Sequence, residues 1–259
     1  MREVITINKY LLLISVCALA LMNTLPVQAG TSSTLSWGLK YEKAGEIPVG
    51  NASSEYLKKF NSCYHGTPQN GEKILFLTFD AGYENGHTIK ILDTLKENNV
   101  PAAFFLVGTY LRNNPEIIKR MVDEGHIIGN HTMKHADMSK KSAEDFSSDL
   151  RQFEETYKSI IGSEMPKYYR PPEGTFTEGN LIAAKEMGYK TVFWSATYVD
   201  WDNKKQPTRE YAFEKLLPRL HAGAIILLHS TSSTNAEILH ELIAECRKMG
   251  YEFKGLNEL

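Results

Sequence analysis

His131 and His135 stand four residues apart, directly after the apolar stretch Ile127–Asn130. On a helical turn that spacing sets two imidazoles on one face, where they could grip one cation; the bland alternative is a pair of solvated loop histidines. Asp80 closes the run Ile74–Phe79 and precedes Ala81-Gly82. A carboxylate at the end of a buried strand is partly desolvated and can be tuned toward a general base, although a capping or turn aspartate is the commoner use of that residue. Arg170 precedes Pro171-Pro172. The prolines stiffen the backbone, and the permanently charged guanidinium could hold the carboxylate of Asp80 in one orientation. Free amides of the same turn, near Glu173, could face a developing oxyanion. His229 ends the apolar run Ala224–Leu228. With Asp200 as an orienting carboxylate it would be a protonated imidazole suited to general acid chemistry; a satisfied core histidine is the competing reading.

These groups act together only if the chain brings them to one place. Short β-branched or aromatic runs predict strands at Ile74–Phe79, Ala102–Val107, Ile127–Asn130, Tyr168–Arg170, Thr191–Trp194, Ala224–Leu228 and Tyr251–Lys254. Between them lie segments with apolar spacing of three and four, such as Phe146, Leu150, Phe153, Tyr157 and Ile160. Pro115 suits a first helical turn, and Gly125, Gly188 and Gly250 suit left-handed caps. Repeated strand–helix alternation predicts an α/β fold with a parallel sheet covered on both faces, either an open doubly wound sheet or a barrel. In such folds sites gather at the carboxyl ends of the strands, where Asp80, His131, Arg170, Asp200 and His229 all fall.

The bulk properties bound the partners. The 259 residues are 42% hydrophobic and 23% charged, with a formal net charge of −2, so no broad basic field invites nucleic acid. Arg2 and Lys9 precede an apolar run from Tyr10 to Met22, followed by Pro26 and Val27-Gln28-Ala29. This reads as a signal peptide over residues 1–29, cleaved after Ala29; the run is short of the roughly 20 residues a spanning helix needs. An exported chain without stable membrane insertion after cleavage is expected. Cys17 would leave with the signal, and its surroundings make a poor lipidation site. Export permits a disulfide between Cys63 and Cys246, but Cys246 lies on the apolar face of a predicted helix and reads as a buried free thiol. Residues 30–71 read as an N-terminal extension packed on the main domain, with a short helix near Ser54–Phe60, and residues 72–259 as one catalytic domain.

Taken in order, Thr78–Gly82, His131–His135, Arg170–Gly174, Asp200-Trp201 and Leu227–His229 resemble the motifs of the polysaccharide deacetylase family, also called the NodB homology or carbohydrate esterase 4 family. The likeness spans roughly Glu72 to Leu259. Ser36-Trp37-Gly38, Thr78–Gly86, Glu124–His131 and Phe193-Trp194-Ser195 resemble in particular its spore-cortex muramic acid deacetylases, the delta-lactam-biosynthetic de-N-acetylases. The resemblance implies a distorted (β/α) barrel of about seven parallel strands. It implies Asp80 as catalytic base, Arg170 as its orienter, His229 as acid tuned by Asp200, and His131 and His135 as ligands of a divalent ion, zinc or similar. Trp201 and Leu227 would shape the acetyl pocket, and a backbone amide between Tyr169 and Gly174, beside Glu173, would meet the oxyanion. Most of the family carries a second aspartate where this chain has Ala81, which cannot coordinate, so the ion would be weakly held. The subgroup resembles this chain in lacking it. The implied substrate is N-acetylmuramic acid in peptidoglycan glycan strands, acted on by a monomer outside the cytoplasm. The alternatives are a deacetylase of N-acetylglucosamine in peptidoglycan or chitin-like glycans, and a glycan-binding barrel without catalysis.

Overall fold

Seven expected strands and two others form one parallel sheet in this computed structural model, which describes residues 33–259. The signal-like segment lies outside the described residues. In chain order the strands are β1 (Ser62–Cys63), β2 (Ile74–Ala81), β3 (Ala102–Leu106), β4 (Ile127–Asn130), β5 (Tyr168–Tyr169), β6 (Lys190–Val192), β7 (Ala196–Thr197), β8 (Ala224–His229) and β9 (Glu252–Phe253). The spatial order is β7-β8-β2-β3-β4-β5-β6-β1, with β9 pairing the first residues of β2. The two strands not expected, β1 and β7, have two residues each, too few to display any periodicity.

The sheet curls into a distorted barrel. Beyond β1, His65 bridges Ala224 and the Gly66 amide donates to Gly223 O at 2.7 Å, while the Ser195 amide donates to Ile225 O. The two ends of the strand path therefore meet at β8. Strand alternation sorts β2 into two faces. Leu75, Leu77, Phe79 and Ala81 pack outward with the helices, and Ile74 and Phe76 pack inward with Ala103, Phe105, Val192 and Ile225. The even-numbered register that aims Ile74 and Phe76 inward carries Asp80 to the inner mouth.

The covering helices are α1 (Ser54–Lys58), α2 (Thr88–Glu97), α3 (Gly108–Asn113), α4 (Pro115–Asp123), α5 (Ala143–Ile161), α6 (Glu178–Glu186), α7 (Arg209–Leu216) and α8 (Ser233–Lys248). Their ends follow local chemistry. Ser142 caps α5 by accepting from the Asp145 amide, Thr177 and Asn180 form a capping box on α6, and Pro115 opens α4. Gly125, Gly188 and Gly250 take φ of 81°, 83° and 84°, the left-handed stops expected of them. Among the described residues no helix is long and apolar enough to cross a membrane, and Cys63 and Cys246 are both free thiols, Cys246 buried.

The segment before β1 is built into the inner edge. Leu35–Ser36 pairs antiparallel with Thr175–Phe176, and Trp37 packs with Leu57, Tyr64, Phe176, Leu181 and Phe193. The Trp37 amide donates to Gly174 O at 2.9 Å and its indole Nε1 to Trp194 O at 3.1 Å. Gly174 sits at φ +68°, and a Cβ there would lie 2.8 Å from Trp37 Cβ, so both backbone and neighbour demand glycine.

Candidate active site

Asp80, the penultimate residue of β2, stands beside His229 at the end of β8, its register partner on the neighbouring strand. Arg170 follows β5, two strands beyond β3. Its guanidinium is fully buried and Nη1 donates to Asp80 Oδ1 at 2.7 Å. Nε donates to Val192 O at 3.0 Å, and the guanidinium carbon lies 4.1 Å from the Phe105 ring centroid. The planar fork is thus fixed on three sides. Burial alone would push the Asp80 carboxyl up, but Arg170, with His131 and His229, holds it below the usual carboxylate range.

His131 and His135 are not on a helical turn. The chain leaves β4 as a loop in which Thr132 and His135 take φ of 67° and 55°. Met133 N donates to Asp149 Oδ1 and Thr132 N to Asn130 Oδ1, which draws these amides away from helical pairing. The loop still brings the imidazoles together, with ring centroids 4.9 Å apart. His131 is buried; its Nδ1 lies 2.8 Å from Arg170 O, a carbonyl that can only accept, so Nδ1 carries the proton and Nε2 presents a lone pair. Nε2 lies 3.6 Å from Asp80 Oδ2. Burial pushes the His131 pKa down to about 4 against the pull of Asp80, keeping the ring neutral. Two imidazoles beside a carboxylate suit a divalent cation, with the remaining positions left to water or substrate oxygen. No three potential ligand side chains form a closed metal site among the described residues, and Ala81 offers only a methyl group, packed in the outward cluster.

Asp200 is fully buried and holds His229 twice, accepting from its amide at 2.8 Å and from its Nδ1 at 2.7 Å. The proton on Nδ1 leaves Nε2 as the exchanging nitrogen. Burial pushes the His229 pKa down, but the charge and hydrogen bond of Asp200, with Asp80 adding, outweigh it and raise the value above the ordinary one. Sequence reasoning missed Asn235, whose Nδ2 donates to Asp200 Oδ2 at 2.6 Å and to His229 O at 3.1 Å. Its place in the first turn of α8, just past the His229 loop, was the available signal. The bridge between Tyr83 and Asn203 across the cleft rim was also missed.

Asp80, His131, His135, Glu173, Trp201, Leu227 and His229 all line one cleft of ≈ 900 Å³. Leu227 is nearly buried there, Trp201 is 61% exposed at the mouth, and Glu173 is exposed on the rim at φ 55°. Tyr169 does not reach the cleft. Its ring is buried against Phe146 and Tyr189 on the helix side, because β5 alternates and Arg170 takes the inner direction. Of the amides in that turn, Arg170 N donates to Asn130 O, Gly174 N to Pro171 O, and two residues are prolines; the remaining residue, Glu173, lines the cleft.

Comparison with known proteins matches this arrangement. The family model of polysaccharide deacetylase matches residues 67–192. The chain is 39% identical over 249 residues to the peptidoglycan-N-acetylmuramic acid deacetylase PdaA of Bacillus subtilis, covering 95% of this chain and 94% of that protein. It is 33% identical over 195 residues to a peptidoglycan-N-acetylglucosamine deacetylase of Bacillus cereus, covering 73% of this chain and 89% of the relative. A solved structure of Bacillus subtilis PdaA, described as a family 4 carbohydrate esterase, superposes with a TM-score of 0.82 at 40% identity, covering 87% of this chain and 96% of the other. The same fold and this identity across nearly the whole length lead to one conclusion: the chain belongs to the polysaccharide deacetylase family.

Proposed function

We propose that this chain hydrolyses the N-acetyl group of N-acetylmuramic acid in peptidoglycan, outside the cytoplasm, with residues 1–29 as export signal. The observation that carries the reading is a pair of oppositely tuned groups facing one cleft. Asp80 is held ionised by Arg170, and His229 is held protonated by Asp200. Groups whose environments push their pKa values apart are the mark of a base and an acid acting together. The length and identity of the match to a protein named for muramic acid favour that sugar.

Asp80 takes a proton from water, whose oxygen adds to the acetyl carbonyl. The oxyanion faces the Glu173 amide on the cleft wall. His229 Nε2 gives its proton to the sugar nitrogen as the C–N bond breaks, releasing acetate and a free amine. Leu227 and Trp201 shape the acetyl pocket. His131 and His135 would hold a divalent ion, zinc or similar, which when bound supplies Lewis-acid polarisation and acidifies water. With Ala81 contributing no ligand, the two histidines would hold such an ion weakly. The free amine can then add to the lactyl carboxyl carbon, whose C–O bond breaks with loss of water, giving the muramic-δ-lactam of spore cortex.

Acetate release from peptidoglycan, measured with and without chelator and followed by mass spectrometry of the digested glycan, tests this. Release should stop on chelation, return with added zinc, and leave the new amine on muramic acid. An amine on glucosamine would instead favour the alternative substrate, and no release with any divalent ion would favour a binding barrel.

The acid also sets a pH limit. His229 works while protonated, so activity should fall as pH rises through its raised pKa. Asp200→Asn removes the charge that raises it, and the alkaline limb of the kcat profile should move to lower pH. An unmoved limb would separate Asp200 from tuning the acid.

A further inference from the structure

One wall of the cleft carries cations that the proposed chemistry does not use. Tyr211, Lys215 and Arg219 recur every four residues along α7 and the 3₁₀ turn Leu217–Arg219, and all three line the cleft that holds Asp80 and His229. The Arg219 guanidinium carbon lies 4.1 Å from the Tyr41 ring centroid, and Nη1 donates to Thr197 O on β7. Lys215 Nζ lies 5.2 Å from the Tyr211 ring. Arg219 forms no ion pair among the described residues; the partner of Lys215 is Glu214, which does not line the cleft. The two carboxylates that do, Asp80 and Glu173, pair with neither cation, and Asp80 is taken by Arg170. Thr197 lies opposite Leu227, so the strand that anchors Arg219 runs about 4.8 Å, one strand spacing, from the strand carrying His229.

We propose that Lys215 and Arg219 form a carboxylate-binding subsite that selects amino sugars bearing a carboxyl group beside the acetamide; this rests on the reading of the cleft as a sugar deacetylase site. A stacked, carbonyl-anchored guanidinium is pre-ordered, and its remaining donors match a carboxylate fork. A neutral N-acetylglucosamine unit offers it hydroxyl oxygens but no charge. The carboxylate has two sources, the lactyl ether of muramic acid and a peptide attached to that lactyl group.

The test uses intrinsic tryptophan fluorescence to follow binding to the full chain. The probes are a peptide-free glycan of alternating N-acetylglucosamine and N-acetylmuramic acid, the same glycan with each lactyl carboxyl converted to a methyl amide, and a peptide-bearing glycan. The amide should bind about tenfold more weakly than the free carboxylate, the loss expected for a charge-assisted contact. Lys215→Gln with Arg219→Gln should erase that difference by weakening only the carboxylate probe. If instead the peptide-bearing glycan alone responds to the substitutions, the carboxylate recognised is the peptide's. Equal binding of acid and amide, with no response of the peptide-bearing glycan, overturns the subsite, and the acid–amide comparison on the unmodified chain stands even where a variant does not fold. Acetate release from the same glycans is scored separately: release with neither acid–amide discrimination nor a response of the peptide-bearing glycan sinks the subsite alone, and discrimination without release sinks the deacetylase reading alone.

Discussion

Asp80→Asn is expected to lower acetate release by roughly 100- to 10,000-fold, the range for losing a positioned general base, while glycan affinity changes little. The amide is nearly the size of the carboxylate, and its Oδ1 can still accept from Arg170 Nη1, so the cleft keeps its shape. What it loses is the ability to take a proton. The loss should fall on kcat, because a base acts in the transition state and binds no part of the resting sugar. Steady-state acetate release beside a fluorescence titration with glycan separates the two. A variant retaining more than about a tenth of the activity would remove Asp80 from this role.

Arg170→Met should cost about 3–5 kcal/mol of folding free energy, the usual penalty for breaking a buried ion pair from one side. The change removes the pair to Asp80 and the hydrogen bonds to Val192 O and Phe193 O, and leaves a buried carboxylate without its cation. Adding Asp80→Asn to Arg170→Met should recover part of the loss, since no charge is then stranded. Urea unfolding of the two single variants and the double reads this directly. The pH dependence has a definite sign. Asp80 has a folded pKa below its unfolded value, so its contribution is present above the unfolded pKa and lost as pH falls through the folded one. Without Arg170, burial pushes the folded pKa up, so this acid-side loss should shrink, and protonating the stranded carboxylate should recover part of the lost stability as pH falls. Two single variants as stable as the unmodified protein would show that the pair is not a structural element.

Much of this architecture was legible in the residues. The seven longer apolar runs announced their strands, and three glycines announced where helices stop. The end of the Ile74–Phe79 run also announced Asp80 as a strand-end carboxylate. The misreadings have local causes. The i, i+4 rule assumed a helix at His131–His135, but Asn130 and Asp149 capture the amides that a helix would need. Tyr169 stood in the stretch expected to supply a backbone amide, and alternation along β5 turns its side chain to the helix side. Asn235 went unseen because an asparagine in a helix's first turn is ordinary, and only tertiary structure shows that it spans Asp200 and His229. The strands β1 and β7 went unseen because two residues carry no pattern.

The tryptophan wedge sets the boundary of what can be cut away. Trp37 hands its amide to the carbonyl of Gly174 and its indole to the carbonyl of Trp194, and β1 supplies the last rung beside β6. A shortened chain beginning at Glu72 would keep every proposed catalytic side chain yet lose the bracket behind the Pro-Pro-Glu-Gly turn and leave β6 with a bare edge. For anyone transplanting this catalytic apparatus into a chimaera, the portable unit starts upstream of Trp37, not at the first long strand.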